Sequence, residues 1–306
     1  MALLDAPKPP TLFRDLEVQG EEARSILRPQ KDPVYGFNFA LSPYRGCSHG
    51  CAYCYVRDYP APNPAAGPGA LHDPADWGRW VAPKVNAPEL LWAQRHRLHQ
   101  QTVFLSSATD PYQPLERELR LTRRCLEVLL QCPTTQVMIL TRAPLILQDL
   151  DLLKAFGPRL KVGLSIPTDD DTVRQVTEPP APPIPSRWAT LERLAKGGLQ
   201  VGVAVAPLMA VHDLSAFVRR ARASGATSAW VGGLRLLPRD PFHGLLARQG
   251  WLHVLDPDYV TEVREAFRAA FPRGERTSRA PRRGVGADRV PPPPLVRQPG
   301  LFDAAV

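Results

Sequence analysis

The spacing of six short, β-branched-rich runs limits the folds open to this chain. Amphipathic stretches separate most of the runs, and three stretches are predicted as helices, at residues 118–130, 187–196 and 212–223. Strands alternating with helices are typical of βα units around a parallel sheet. Six repeats are too few for a closed eight-stranded barrel, so the pattern predicts an α/β fold, a partial (β/α)6 TIM-like barrel. The predicted strands are residues 39–43, 102–107, 136–141, 161–166, 201–206 and 228–235.

Composition divides the chain into three parts. Residues 35–271 are predicted as the barrel core, behind an N-terminal extension over residues 1–34. Residues 272–306 are rich in Arg and Pro, and we expect a disordered basic tail. The tail carries much of the net charge of +8, so the remaining excess resembles an ordinary solvated surface as much as a binding face.

The termini and apolar runs predict a cytoplasmic protein without a membrane segment. The first residues lack a basic stretch followed by an apolar one, and the longest apolar run, residues 199–211, is short and interrupted by Pro207. An odd number of cysteines, three of them clustered, is a poor disulfide framework and favours metal ligands or catalytic thiols.

The clustered cysteines, Cys47, Cys51 and Cys54, follow the first predicted strand in the spacing CxxxCxxC. Structural zinc would need a fourth ligand, for which His49 and His72 are the nearest histidines. An iron–sulfur cluster bound by three thiolates keeps one iron open for a substrate or cofactor. Zinc and iron–sulfur sites both stay open on spacing alone.

The stretch CSHGCAYC resembles the signature of the radical S-adenosylmethionine superfamily, CxxxCxΦC, with Tyr53 as the aromatic Φ. The resemblance implies a 4Fe–4S cluster on the three cysteines and S-adenosylmethionine chelated by the open iron. It also implies reductive cleavage to a 5′-deoxyadenosyl radical, which abstracts hydrogen from a substrate. An electron donor such as flavodoxin or ferredoxin is implied as a partner.

A narrower resemblance covers residues 35–240 and points to the spore photoproduct lyase-related sub-family, whose substrates are mostly unassigned. Its segments are SPYRGCSHGCAYCY, VNAPELL, SSATDPYQPLE, LTRRCLEVL, ILTRAP and VGVAVAPLM. DNA or a nucleotide is the substrate class that this resemblance favours. Lyase and transferase chemistry both stay open.

The resemblance implies that residues at later strand ends hold the cofactor. Arg142 would pair with the methionine carboxylate and Ser165 would bond a ribose hydroxyl. Tyr53 would pack beside the adenine, and Tyr55 beside the cluster or substrate. Strand-end capping is the alternative for Thr141 and Ser165, and turn initiation is the alternative for Asp110. The implied cofactor residues are Tyr53, Ser107, Asp110, Thr141, Arg142 and Ser165, with Ser106 and Thr109 beside them.

One position departs from the lyase pattern. The lyase resemblance places a hydrogen-donating cysteine in a segment like ACTSD, and here SSATD has Ser107 at that place. An O–H bond is much stronger than an S–H bond, so lesion repair by the same hydrogen return is not expected. Cys125, inside a predicted helix, is interpreted as a buried apolar side chain, and Cys132 ends that helix; neither is expected to replace the donor.

The tail contains Gln298, Leu301 and Phe302, which resemble the QxxLF segment of sliding-clamp-binding repair proteins. A clamp partner and a solvated terminus are the two interpretations of this stretch. Besides the radical enzyme, two other classes stay open. They are a non-enzymatic zinc or iron–sulfur module and a DNA-repair-associated adaptor.

Overall fold

The computed structural model describes residues 16–32, 35–237 and 239–272, and its strands within these ranges form two sheets. Residues 273–306 of the predicted tail, with Gln298, Leu301 and Phe302, lie outside the described residues. The strands are β1 (Glu17–Val18), β2 (Leu27–Pro29), β3 (Phe39–Leu41), β4 (Tyr44–Gly46), β5 (Trp80–Pro83), β6 (Thr102–Leu105), β7 (Gln136–Thr141), β8 (Leu160–Ser165), β9 (Gln200–Val205) and β10 (Ser228–Val231).

The larger sheet confirms the predicted partial barrel. Its order is β10-β9-β8-β7-β6-β3-β2, so the six predicted strands lie side by side in chain order and are parallel. The edge strand β2 pairs antiparallel with β3 and was not predicted. The second sheet, β1-β5-β4, was not predicted either, because strands of two to four residues carry too little periodicity.

Helices connect successive parallel strands and pack against the sheet, as in βα units. Long α6 begins at Ile184, three residues before the predicted start, because Pro185 fits the first turn of a helix. The helices are α1 (Ala87–Gln94), α2 (Glu116–Leu119), α3 (Leu121–Leu130), α4 (Leu150–Ala155), α5 (Asp171–Thr177), α6 (Ile184–Lys196), α7 (Leu214–Ala223), α8 (Phe242–Gln249) and α9 (Pro257–Ala270).

The helix predicted over residues 118–130 is two helices. Arg120 lies in the left-handed region with φ of 52° and separates α2 from α3. The carboxylate of Glu116 accepts the backbone N–H groups of Thr122 (3.0 Å) and Arg123 (3.1 Å) at the start of α3. Glu116 therefore caps a new helix start, a contact that hydrophobic periodicity does not reveal.

The parallel register brings three predicted strand ends to one edge of the sheet. Ser106 directly follows β6, Thr141 ends β7 and Ser165 ends β8. Thr141 is level with Leu164 of β8 across the β7–β8 pairing. Below this edge, Val, Ile and Leu side chains of the strands form the main apolar core with the inner faces of the helices. This carboxyl edge is where ligands bind in open and closed βα folds.

Candidate functional site

The cysteine loop, residues 47–54, follows β4 directly and is shaped by glycines. Gly46 has φ of +74°, and a Cβ there would lie 2.5 Å from the Trp80 carbonyl oxygen. A Cβ on Gly78 would lie 2.7 Å from the Cα of Gly50, which itself has φ of +50°. Side chains at these places would push the loop away from the β5 segment, so the glycines fix its path.

The three cysteines of this loop differ in exposure but lie largely out of solvent. Cys47 and Cys51 are buried and Cys54 is half-buried. Burial raises the pKa of each thiol to about 12. The thiolate is the form that binds metal, so a bound cation must displace the protons. Three thiolates from one short loop are a donor set suited to an iron–sulfur cluster.

Asp110 joins the cysteine loop to the end of β7. Its Oδ1 accepts from the Thr141 hydroxyl (2.6 Å) and the Tyr112 backbone N–H (2.9 Å), and its Oδ2 accepts from the Arg142 backbone N–H (2.9 Å). Nε2 of buried His49 lies 3.5 Å from Oδ2. Burial opposes ionisation, but His49, Thr141 and Arg142 outweigh it and lower the pKa of Asp110 to about 2.

The segment after β6 also holds the cysteine loop, and Gly46 just before it, through hydrogen bonds. The Thr109 hydroxyl donates to the Gly46 carbonyl (2.5 Å), and the Gln113 carboxamide oxygen accepts the Ser48 backbone N–H (3.0 Å). The Gln113 amide in turn donates to the Thr109 hydroxyl (3.2 Å). Asp110, Thr109 and Gln113 therefore hold the loop, a role that the sequence alone did not assign to them.

Arg142 contacts the cysteine loop directly. Its Nη1 lies 2.8 Å from the Cys51 Sγ, 2.6 Å from a Glu178 carboxylate oxygen and 3.2 Å from the Tyr53 hydroxyl oxygen. Glu178 is fully buried, also pairs with Arg187, and accepts a hydrogen bond from the Tyr53 hydroxyl. Burial would raise the pKa of Glu178, but the charges of Arg142 and Arg187 prevail and lower it.

Glu178 and Arg187 are site residues that the sequence analysis missed. Glu178 opens the Pro-rich run at residues 178–185, a composition typical of loops, and nothing local marks it as an ion-pair partner. Arg187 lies on α6 and is fully buried. A charged residue inside an otherwise apolar helix face was the one available signal, since buried arginines are almost always paired.

The serines at the strand ends differ in their partners. The Ser165 hydroxyl is buried without a hydrogen-bond partner among the described residues, whereas the Ser106 hydroxyl donates to the Leu41 carbonyl (3.4 Å). The Ser107 carbonyl accepts from the hydroxyl of half-exposed Tyr55 (2.8 Å). Strand-end capping therefore does not account for the Ser165 hydroxyl, which is available to a ligand.

Asp240 and helix α8, near the C-terminal end of the described residues, pack against a second side of the cysteine loop. Arg57 pairs with buried Asp240 and also donates to the Ala52 carbonyl. The Tyr53 ring meets Phe242 of α8 edge-on, with ring centroids 5.9 Å apart. Cys51 and Tyr53 thus belong to a second apolar cluster with α8. This packing shields the loop from solvent.

Cys125 and Cys132 lie outside the cysteine loop, on α3 and just after it. Cys125 on α3 is fully buried in the main core, which confirms its interpretation as an apolar side chain. Cys132 lies two residues past the end of α3, with its Sγ 3.6 Å from the Val128 carbonyl. Within residues 16–32, 35–237 and 239–272, no group of three or more His, Cys, Asp or Glu side chains converges to hold a single metal ion.

A comparison with known protein families assigns this chain to a superfamily. The Radical SAM superfamily model matches residues 41–219, and the chain belongs to this superfamily. Membership implies a 4Fe–4S cluster and S-adenosylmethionine, and members of the superfamily are generally enzymes. The three thiols of the cysteine loop fit that cluster in number and chemistry.

Two uncharacterized proteins are similar to this chain over more than half of its length. An uncharacterized protein of Methanocaldococcus jannaschii is 28% identical over 194 residues, 63% of this chain and 68% of that protein. An uncharacterized protein of Mycobacterium tuberculosis is 29% identical over 247 residues, 76% of this chain and 68% of that protein.

The structural neighbours are spore photoproduct lyases. A mutant lyase with bound AdoMet and dinucleoside spore photoproduct has a TM-score of 0.61 at 13% identity, covering 89% of this chain and 86% of that one. A lyase complexed with dinucleoside spore photoproduct has a TM-score of 0.60 at 13% identity, covering 83% and 78%. At these identities the likeness shows a shared fold.

No helix of the described residues is both long and apolar enough to cross a membrane.

Proposed function

We propose that this chain is a radical S-adenosylmethionine enzyme in which Cys47, Cys51 and Cys54 ligate a 4Fe–4S cluster with one open iron. The burial of these thiols in one loop, beside the carboxyl end of β7, is the observation that supports it most directly. When bound and reduced, the cluster supplies the electron that cleaves S-adenosylmethionine to methionine and a 5′-deoxyadenosyl radical. The surrounding chain positions the cofactor and excludes water.

The strand-end residues then take distinct roles toward the cofactor. The Ser165 hydroxyl, free and buried, bonds a ribose hydroxyl, and buried Tyr53 packs beside the adenine. Asp110 and Thr141 hold the loop and the strand end together. A guanidinium has five donors, so Arg142 is able to reach the methionine carboxylate while Glu178 retains one of them. Ser107, two residues after β6, lies at the same carboxyl edge of the sheet.

Cofactor cleavage tests the proposal. Anaerobically reconstituted protein should hold about four irons and, with dithionite, release 5′-deoxyadenosine from S-adenosylmethionine. Cys51→Ala should lose both properties, whereas Cys132→Ala, a half-buried thiol outside the loop, should keep both. Zinc in place of iron contradicts the proposal, and an iron cluster that changes redox state without cofactor cleavage indicates a sensor.

For the substrate we propose DNA or a nucleotide. Structurally similar lyases bind a dinucleoside spore photoproduct, and here Tyr55, 53% exposed, lies beside Ser107 at the same edge. Aromatic side chains on such a surface stack on unpaired bases. Ser107 supplies no thiol, so we propose hydrogen abstraction without the return of hydrogen from a cysteine at that position. Mass spectrometry of the product distinguishes lyase from transferase chemistry.

Binding measurements test this substrate class. Affinity for single-stranded DNA should fall steeply with salt, because lysines and arginines release counterions from phosphates. Deleting residues 272–306 should flatten that salt dependence, and Tyr55→Ala should weaken binding at every salt concentration. No binding at low salt would count against nucleic acid.

We also propose two protein partners. An electron donor such as flavodoxin or ferredoxin would reduce the cluster, and a sliding clamp would bind Gln298, Leu301 and Phe302. Leu301→Ala/Phe302→Ala should abolish clamp binding and leave 5′-deoxyadenosine formation unchanged. Equal clamp binding by the variant and the parent protein would remove the clamp from the list of partners.

A further inference from the structure

Arg142 makes a contact that neither cofactor binding nor strand capping requires. Its Nη1 donates a hydrogen bond to the Cys51 Sγ, 2.8 Å away. The residue begins the turn after β7, where the Asp110 carboxylate fixes its backbone N–H. Glu178 holds the guanidinium from the other side at 2.6 Å. The contact with sulfur is therefore set from both ends of the side chain.

Charged groups of both signs surround this contact. Asp110 faces the guanidinium, with its Oδ2 3.9 Å from the Arg142 Nε. Glu178 contributes one negative charge and pairs with two arginines, Arg142 and Arg187. Glu178 and Arg187 are fully buried, and the Arg142 side chain is 16% exposed. Within this water-poor site the Arg142 guanidinium places an N–H donor 2.8 Å from the Cys51 sulfur. A charge in such a medium acts more strongly than in water.

We infer that Arg142, held by Glu178, raises the reduction potential of the cluster through its hydrogen bond to the Cys51 sulfur; this rests on the proposed cluster at the cysteine loop. Reduction adds one electron and one negative charge to the cluster. A nearby cation and an N–H donor to a ligand sulfur stabilise that added charge. Arg142 acts on the cluster through Cys51, and Glu178 acts through Arg142. Both are positioning residues for electron uptake.

Opposite shifts are expected for the two halves of the pair. Arg142→Gln removes a positive charge and should lower the ratio of reduced to oxidised cluster at a fixed potential about tenfold, which is about 59 mV for one electron. Glu178→Gln removes the closer of the two carboxylates that face the guanidinium and should raise that ratio. Arg142→Lys keeps the charge but loses the planar fork, so its potential should lie between those of Arg142→Gln and the parent.

The measurement is potentiometry of the full chain, reconstituted anaerobically and followed by electron paramagnetic resonance. It is made without S-adenosylmethionine, so a role of Arg142 toward the cofactor carboxylate does not enter. Arg220→Gln is the matched control: the same substitution on α7, where Arg220 pairs with Glu192 at the surface. Its potential should equal that of the parent protein.

Two results overturn the inference while leaving the proposed function intact. One is a cluster with an unchanged potential in both Arg142→Gln and Glu178→Gln, and the other is a shift of both potentials in the same direction. If Arg142→Gln does not retain iron, the Glu178→Gln potential decides, and an unchanged or lower value contradicts the inference. Failure of the parent protein to bind any cluster refutes the proposed function itself.

Discussion

At the scale of single residues, two hydroxyl groups at neighbouring strand ends have opposite surroundings. The Thr141 hydroxyl donates to Asp110 at 2.6 Å, whereas the Ser165 hydroxyl is buried without a partner among the described residues. A buried hydroxyl without a hydrogen bond costs stability, and proteins retain such a group where a ligand completes it. The cost should therefore disappear when either the hydroxyl is removed or the ligand is bound.

Ser165→Ala should accordingly separate stability from cofactor affinity. We expect the melting temperature without ligand to stay equal or rise, because no hydrogen bond is lost. Affinity for S-adenosylmethionine should fall several-fold, the effect of about 1 kcal/mol for one hydrogen bond. Scanning calorimetry without ligand measures the melting temperature, and titration calorimetry measures the affinity. Ser106→Ala, whose hydroxyl donates to the Leu41 carbonyl, is the control and should leave affinity unchanged.

At the scale of elements, the junction of α2 and α3 depends on one carboxylate. Glu116 is buried, caps α3, and accepts a hydrogen bond from the Tyr44 hydroxyl on β4. Burial penalises its charged form and raises its pKa from 4.5 to about 7. The folded protein thus holds a proton that the unfolded chain releases above pH 4.5. The resulting stability is full below pH 4.5 and is lost as the pH rises to about 7.

Glu116→Gln should remove this part of the pH dependence. The shift corresponds to about 3 kcal/mol, so the free energy of unfolding should fall less between pH 4.5 and pH 7 in the variant than in the parent, by up to that amount. Urea unfolding at both pH values measures the difference. Glu127→Gln changes an exposed carboxylate on α3, the helix that Glu116 caps, and should keep the parent's pH dependence.

The elements also show which features a sequence can predict. The parallel strands were predictable because short apolar runs, most of them with β-branched residues, alternate with amphipathic stretches. In β7, buried residues also alternate with less buried ones. The loop with Cys47, Cys51 and Cys54 was predictable from its spacing. Glu178 was not, because its partners Arg142 and Arg187 are joined to it only by the fold. The break at Arg120 depended likewise on a tertiary contact of Glu116.

At the scale of the whole molecule, the cysteine loop is held between two distant parts of the chain. The segment after β6 supports it through Asp110 and Thr109, and the segment that starts α8 covers it through Asp240. Arg57 is the link to the second part, and its ion pair with Asp240 is mostly buried. Removing Arg57 leaves Asp240 as an unpaired buried charge, which costs far more than loss of a surface pair. Removing Asp240 leaves Arg57 with its longer contact to Asp58, 3.5 Å away.

Arg57→Gln should therefore destabilise the protein by about 3–5 kcal/mol and expose the cluster to oxygen. Asp240→Asn should act in the same direction but more weakly, because Arg57 keeps its contact with Asp58. The double variant should lose less than the sum of the two because the partners interact directly. Urea unfolding and the rate of cluster bleaching in air measure these effects. Arg220→Gln breaks an exposed pair with Glu192 and should cost at most about 1 kcal/mol, with bleaching at the parent rate. Destabilisation without faster bleaching would show that α8 supports the fold but does not shield the cysteine loop.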